Sequence, residues 1–195
     1  MMRAGLRKYA CDLTLDPNTA NTRLVLSDEN KKITRVEDHQ PYPDHPERFD
    51  VPQVLSVESL TGRCYWETEW SGDYADISVS YKGINRKGRG SDDCVFGYND
   101  KSWSLIYSDN SFSVWHNHNE TVIPADPSSC KRVGVCVDVS GGSLSFYSVS
   151  DTHTLTHLHT HTHTHLHTFN TTFTEPLYAG FGVYSDDSSV SLCDI

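Results

Sequence analysis

RVGVCVDVSGGSLSFYSV, Arg132 to Val149, decides the fold. In an extended chain successive side chains point to opposite faces, so Val133, Val135, Val137 and Val139 share one face, and that face must be core. Gly141-Gly142 follows, and two adjacent glycines tolerate the positive φ angles that a two-residue hairpin turn demands, so SLSFYSV reads as the returning strand. The same alternation runs through the chain from about residue 22. In ADISVSYK, Ala75, Ile77, Val79 and Tyr81 take one face, while Asp76, Ser78 and Ser80 take the other and are expected to be wet. RLVLS, KKITR, CYWETEW, CVFGY, SWSLIYS, FSVWHN, PLYAGFGVY and SVSLCDI are further strand candidates. No window carries an apolar i, i+3, i+4, i+7 stripe over helical length. Around a dozen short strands without helical crossovers mean an all-β, antiparallel β-sandwich with little helix. Val36 to Pro52, with four prolines and little periodicity, reads as a long loop.

A chain of 195 residues fits one domain or a closely joined pair, and can bury a core without disulfide or metal support. Asp and Glu number 26 against 16 Lys and Arg, a net charge of -10, which argues against polyanionic partners: no nucleic acid and no membrane surface. MMRAGLRKYA holds no apolar run of signal-peptide length, and no stretch approaches the roughly 20 apolar residues of a membrane span. A cytoplasmic protein is the expectation. Cys11, Cys64, Cys94, Cys130, Cys136 and Cys193 show no C-x-x-C spacing and read as mostly buried thiols of a reducing compartment. The sequons at Asn119 and Asn170 are the chance product of a chain rich in Ser and Thr. No G-x-S-x-G, H-E-x-x-H or phosphate-cradling loop occurs, and Glu67 and Glu69 share a flat strand face that forms no cleft, so neither catalysis nor a cofactor is expected.

The order of phrases resembles the B30.2 (PRY/SPRY) domain. LTLDPNTANTRLVLSDENKKITR (13–35), ERFD (47–50) and VLSVESLTGRCYWETEW (54–70) resemble its PRY half; VGVCVDVSGGSLSFYSV (133–149) and PLYAGFGVYSDDSSVSLCDI (176–195) resemble its SPRY half. The wording is similar to such domains at the C-termini of tripartite-motif proteins and fish NACHT/NLR-like receptors, and in fish-venom toxin subunits. The resemblance implies a bent sandwich of the SPRY, concanavalin-like jelly-roll type. It implies an N-terminal extension at 1–9 and a single domain at 10–195, PRY to about 62 and SPRY from about 63, with a His/Thr insertion at about 153–168. It also implies a non-catalytic protein-protein recognition module, used in innate immune sensing or ubiquitin-ligase targeting and joined to further domains of a longer parent chain.

Such a module would bind through the loops 36–52, 71–74, 82–93, 106–118 and 185–188. Matching the family's pocket positions residue by residue puts Lys82 where an antibody-binding member has an acidic contact, and Ile106 and Ser108 where it has two tryptophans. Antibody binding is therefore not carried over. Ile106, between Ser104 and Ser108 on the polar face of its strand, reads as an exposed contact residue. Trp103 shares a face with Leu105 and Tyr107 and reads as core. Trp115, near a strand end, reads as an interface anchor. Tyr42 and Tyr74 join the candidates from their loops. Lys82, Arg86, Lys87 and Arg89 form a basic run, either a solvated turn or a clamp for an acidic partner.

HTLTHLHTHTHTHLHT, His153 to Thr168, holds seven of the eleven histidines. In a strand His157, His159, His161, His163 and His165 fall about 6.6 Å apart on one face and form weak metal-ligand candidates. A metal-binding protein built on this tract is one alternative function; a structural domain of a toxin-like or receptor assembly is another. Neither face is apolar enough for the core, so the tract is expected to protrude. Thr-His repeats are what an AC-dinucleotide tract encodes, and removing Thr160 to His167 leaves LTHLHTF, which resembles the phrase expected there. Deleting residues 160–167 should leave a cooperative melt; loss of the transition in thermal unfolding would make the tract indispensable to the fold.

Overall fold

The computed structural model describes residues 5–88, 91–124, 131–153 and 159–195, without the side chains of 151–162, and among the described residues the alternating segments form thirteen strands in two antiparallel sheets. The seven-stranded sheet runs β1 (Leu24–Ser27), β2 (Lys32–Arg35), β13 (Ser189–Leu192), β4 (Arg63–Ser71), β9 (Arg132–Asp138), β10 (Ser143–His153), β11 (His159–Asn170). The six-stranded sheet runs β3 (Gln53–Leu60), β12 (Leu177–Gly182), β5 (Tyr74–Tyr81), β6 (Ser102–Ser108), β7 (Ser111–His116), β8 (Asn119–Ile123). Among the described residues the only 3-10 turns are Arg7–Tyr9 and Asp92–Cys94. The fold is the all-β sandwich expected from the alternation.

The sheets meet across the valine face. Val133, Val135 and Val137 have no exposed surface and lie in one core with Trp66, Trp70, Ile77, Leu105, Phe112, Phe146 and Phe181. Burying a valine or larger side chain contributes roughly 1.5–3 kcal/mol, so this seam dominates the fold's stability. Trp70 bridges the sheets, its ring 6.0 Å edge-on from Phe112 and 5.2 Å from Tyr107. Trp103 is core, as expected, and stacks flat on His116 at 4.6 Å.

Four expectations are corrected. The β9–β10 hairpin pairs Asp138 with Ser143, so its loop has four residues, not two; only Gly142 takes a positive φ (+73°), and the Asp138 carboxylate accepts the Gly141 N–H at 2.9 Å. CVFGY is no strand: after the 3-10 turn, Val95 to Tyr98 turn across the six-stranded sheet. The polar face of β5 is dry, with Asp76, Ser78 and Ser80 all buried, because that covering segment lies on it. Finally, the described part of the histidine tract does not simply protrude: β11 pairs with β10 along its length, Leu166 is buried in the core, and a bulge beside Phe146 reorients the strand.

The covering segment is seated by a second, smaller cluster of Phe49, Val51, Leu55, Ile84, Cys94 and Phe96. Buried Gln53 satisfies its backbone, donating to the Cys94 carbonyl at 2.7 Å and accepting the Phe96 N–H at 2.8 Å. Phe96 rests on Gly180 of β12, where a β-carbon would stand 2.7 Å from the ring. Gly180→Ala should therefore cost about 1–3 kcal/mol. Urea unfolding measures it, and an unchanged midpoint would mean that the ring does not depend on that close approach.

Candidate functional site

The covering segment leaves part of the outer face of the six-stranded sheet open, and there a cleft of about 250 Å3 forms. Cross-strand partners share a face, so the register fixes its lining: Tyr74 opposite Ser108, Ile106 opposite Ser113, Ser108 opposite Ser111, Trp115 opposite Glu120. Serines at 108, 111 and 113 are too small to fill the space, and Tyr74, Tyr98 and Trp115 wall it. Trp115 is fixed edge-on to Tyr98 at 4.8 Å and donates its indole N–H to Ser113 Oγ at 3.0 Å. Tyr74 is fixed against Tyr184 at 5.1 Å. Asp109, Glu120 and the 63 % exposed Val122 form the rim.

Tyr74, Ile106, Ser108 and Trp115 are thus brought together. Ile106 is only 4 % exposed, however, and is the cleft floor rather than an exposed contact, because the walls on either side rise above it. Tyr98 was missed, since CVFGY reads as a strand.

The other candidates lie elsewhere. Tyr42 donates its hydroxyl to the Leu24 carbonyl at 2.7 Å and lies under the Arg48 guanidinium. Arg86 is buried, stacks over Phe49 and donates to the carbonyls of Glu47 (2.6 Å), Lys82 (2.7 Å) and Ile84 (3.2 Å). It is neither a solvated turn residue nor a free clamp, because those carbonyls use its donor fork. Lys82 lies 3.6 Å from Glu47, and Lys87 faces Asp44 and Asp50, so acids of the 44–50 loop neutralise the described part of the basic run. Arg89 lies outside the described residues.

His157 and the side chains of His159 and His161 also lie outside the description. The side chain of His163 is buried, its Nε2 hydrogen-bonded to the Tyr65 hydroxyl at 3.0 Å and 3.9 Å from Glu67, which Arg132 bridges at 3.1 Å. His165 bonds instead to Thr168 at 2.7 Å. Among the described residues, no group of three or more His, Cys, Asp or Glu is placed to hold a metal ion. Nor is any helix among them long and apolar enough to cross a membrane.

Residues 13–60 match the SPRY-associated domain, PRY, and residues 63–193 match the SPRY domain. The chain belongs to the SPRY family. SPRY domains are protein-binding modules. This one is 38 % identical over 192 residues to tripartite motif-containing protein 16 of Mus musculus, covering 96 % of this chain and 32 % of that protein. It is 42 % identical over 184 residues to stonustoxin subunit beta of Synanceia horrida, covering 92 % and 24 %. Among solved structures, stonustoxin superposes with a TM-score of 0.86 at 38 % identity over 98 % of this chain and 30 % of that one. The TRIM65 PSpry domain superposes with a TM-score of 0.85 at 27 % identity, over 100 % and 95 %. The chain spans a third or less of the curated relatives it matches, including both of these.

Beside the SPRY cleft, Asp76 sits opposite Ile106 in the register and is fully buried. Burial pushes its carboxyl up to about 7, against hydrogen bonds from Ser104 (2.6 Å to Oδ1) and Ser78. Burial, with Asp76 nearby, also raises Tyr74 and Tyr184. The folded state holds the Asp76 proton more tightly than the unfolded chain does. Its contribution to stability is therefore full below the ordinary value of 3.8 and is lost as pH rises to about 7. Asp76→Asn should remove that slope, on the order of 4 kcal/mol across the window. Denaturant unfolding of both proteins from pH 4 to 8 reads it, and parallel pH profiles would show that Asp76 is ionised throughout.

Proposed function

We propose that the chain recognises a protein partner by taking a segment with a basic side chain beside an apolar one into the cleft walled by Tyr74, Tyr98 and Trp115. The observation that carries this reading is charge next to aromatic surface. Asp109 and Glu120 stand on the rim, and among the described residues no basic side chain forms an ion pair with either. A Lys or Arg there would gain both a carboxylate and a ring face, while Ile106 and Val122 receive apolar carbon. Ser108, at the mouth, supplies a hydroxyl.

In this reading residues 10–195 act as one domain, with the His/Thr tract as a lengthened hairpin of the other sheet. Similarity to tripartite-motif proteins supports use in the cytoplasm as the targeting element of a longer ubiquitin-ligase or innate immune protein. Tyr42, Lys82 and Arg86 hold the adjoining loops rather than the partner. A second reading, favoured by the similarity to both stonustoxin subunits, is a domain that packs within a larger toxin-like assembly.

Selection from a random displayed-peptide library tests the first reading. Enriched peptides should carry Lys or Arg beside an apolar residue. Their binding should fall at least about tenfold with Trp115→Ala and with Asp109→Asn plus Glu120→Gln, while Lys82→Glu leaves it unchanged. Acidic peptides, or binding indifferent to Trp115, would overturn it.

A further inference from the structure

One side of the cleft is formed by β8, and β8 is an edge strand. Among the described residues it has a strand on one side only, β7. The opposite edge of the same sheet, β3, is covered: the Val57 N–H donates to the Thr14 carbonyl and the Asp16 N–H to the Leu55 carbonyl, both at 2.8 Å. An open edge presents unpaired N–H and C=O groups to any extended chain, and is normally blunted by Lys, Pro or a bulge. NETVI, Asn119 to Ile123, holds neither Lys nor Pro and pairs with β7 in unbroken register.

That register identifies the backbone groups that face outward. The turn between β7 and β8 has two residues, Asn117 and His118, at φ +49° and +68°, and such a turn makes the flanking pair, His116 and Asn119, a hydrogen-bonded one. Bonded and non-bonded pairs alternate along an antiparallel ladder. Asn119, Thr121 and Ile123 therefore turn their backbone groups to β7, and Glu120 and Val122 turn theirs away from it. The same two residues line the cleft with their side chains, Glu120 opposite Trp115 and Val122 opposite Ser113. Open backbone, an acid without a basic partner and a 63 % exposed valine thus coincide on one stretch of edge.

We propose that the partner docks by strand addition: an extended segment pairs antiparallel with β8 through the N–H and C=O groups of Glu120 and Val122, and so lengthens the six-stranded sheet by one strand. Resting on the cleft reading above, this pairing fixes the order and spacing of the two side chains that the cleft takes. Directly opposed residues share a face, so the partner residues opposite Val122 and Glu120 are two apart and both overhang the cleft. Antiparallel pairing puts the one opposite Val122 first. It is apolar, to cover that valine, and the second is basic, to meet Glu120. The basic side chain must also be long, because adjacent strands lie about 4.8 Å apart and the Trp115 ring belongs to the next strand in. Lys and Arg reach it across Glu120. The residue between them lies opposite Thr121, points to the other face and is not selected.

The test takes peptides selected from the displayed library on the 195-residue chain, remakes each with a single N-methyl group at successive positions, and measures binding by calorimetry. Selected peptides should carry an apolar residue two places before Lys or Arg. N-methylation of either of those residues should weaken binding by at least about tenfold, and of the residue between them, whose N–H points away from β8, by less than about threefold. Val122→Pro deletes an outward N–H yet keeps an apolar side chain, and should weaken binding by a similar factor. Should that variant fail to fold, the peptide series decides alone. A series without the alternation, another order or spacing, or unchanged binding by folded Val122→Pro overturns strand addition, and the cleft reading then stands if Trp115→Ala still weakens binding. Selection of no peptide, or binding indifferent to Trp115, overturns both.

Discussion

Phe96 lying on Gly180 is the contact on which the rest of the outer architecture depends. The six-stranded sheet carries core on its inner face, and its outer face holds a row of small and polar side chains with an ionisable group, Asp76, among them. Such a row cannot be left dry without partners, nor filled by its own side chains. The Val95–Tyr98 segment covers part of it, held from below by the Phe96 ring and through its backbone by Gln53. Where the cover stops, the unfilled row of serines becomes a cleft.

The loops around that cover are set by guanidinium groups acting as backbone splints. Arg48 donates to the carbonyls of Pro17, Ala20 and Pro43, and Arg86 to those of Lys82, Ile84 and Glu47. Each ties together stretches that carry few backbone bonds of their own, and together they fix the 43–50 loop against the turn after β5. A cleft bounded by such fixed segments loses little conformational freedom when it is filled, which is the physical advantage of preorganisation.

The inner faces were legible in the sequence because alternation reports them directly: the valines of β9 and the Ala-Ile-Val-Tyr row of β5 are where periodicity puts them. The outer face was not. Asp76, Ser78 and Ser80 read as wet, and whether such a row meets water or a covering segment is decided by Cys94 to Tyr98, nearly twenty residues away. The same non-locality hid Tyr98, whose apolar neighbours mimic a strand, and misplaced Arg86, since charge alone does not show whether a guanidinium meets solvent or carbonyls. Tyr74, Ile106, Ser108 and Trp115 were found as separate strand and loop positions; only the register between β5, β6 and β7 makes them one surface.

The histidine tract shows how pattern and register separate. A Thr-His repeat specifies which face each side chain takes but not how far the strand slides, because a shift of two residues restores the same alternation. Register in β11 must come from residues that break the repeat: Phe169 opposite Leu144, Leu166 in the core, and the bulge beside Phe146. These lie at the C-terminal end of the strand, next to the body of the sandwich. His163 adds a tie of a different kind, since it docks onto Tyr65 above Gly134, where a β-carbon would come within 2.5 Å of the tyrosine hydroxyl. Added or lost Thr-His units shift residues on the far side of those anchors by whole periods, leaving the core contacts unchanged. A deletion of eight residues brings Leu158 to the place of Leu166 and Leu155 to that of His163. An apolar leucine would then face the Tyr65 hydroxyl and Glu67, whose remaining ion pair with Arg132 is what makes that exchange tolerable.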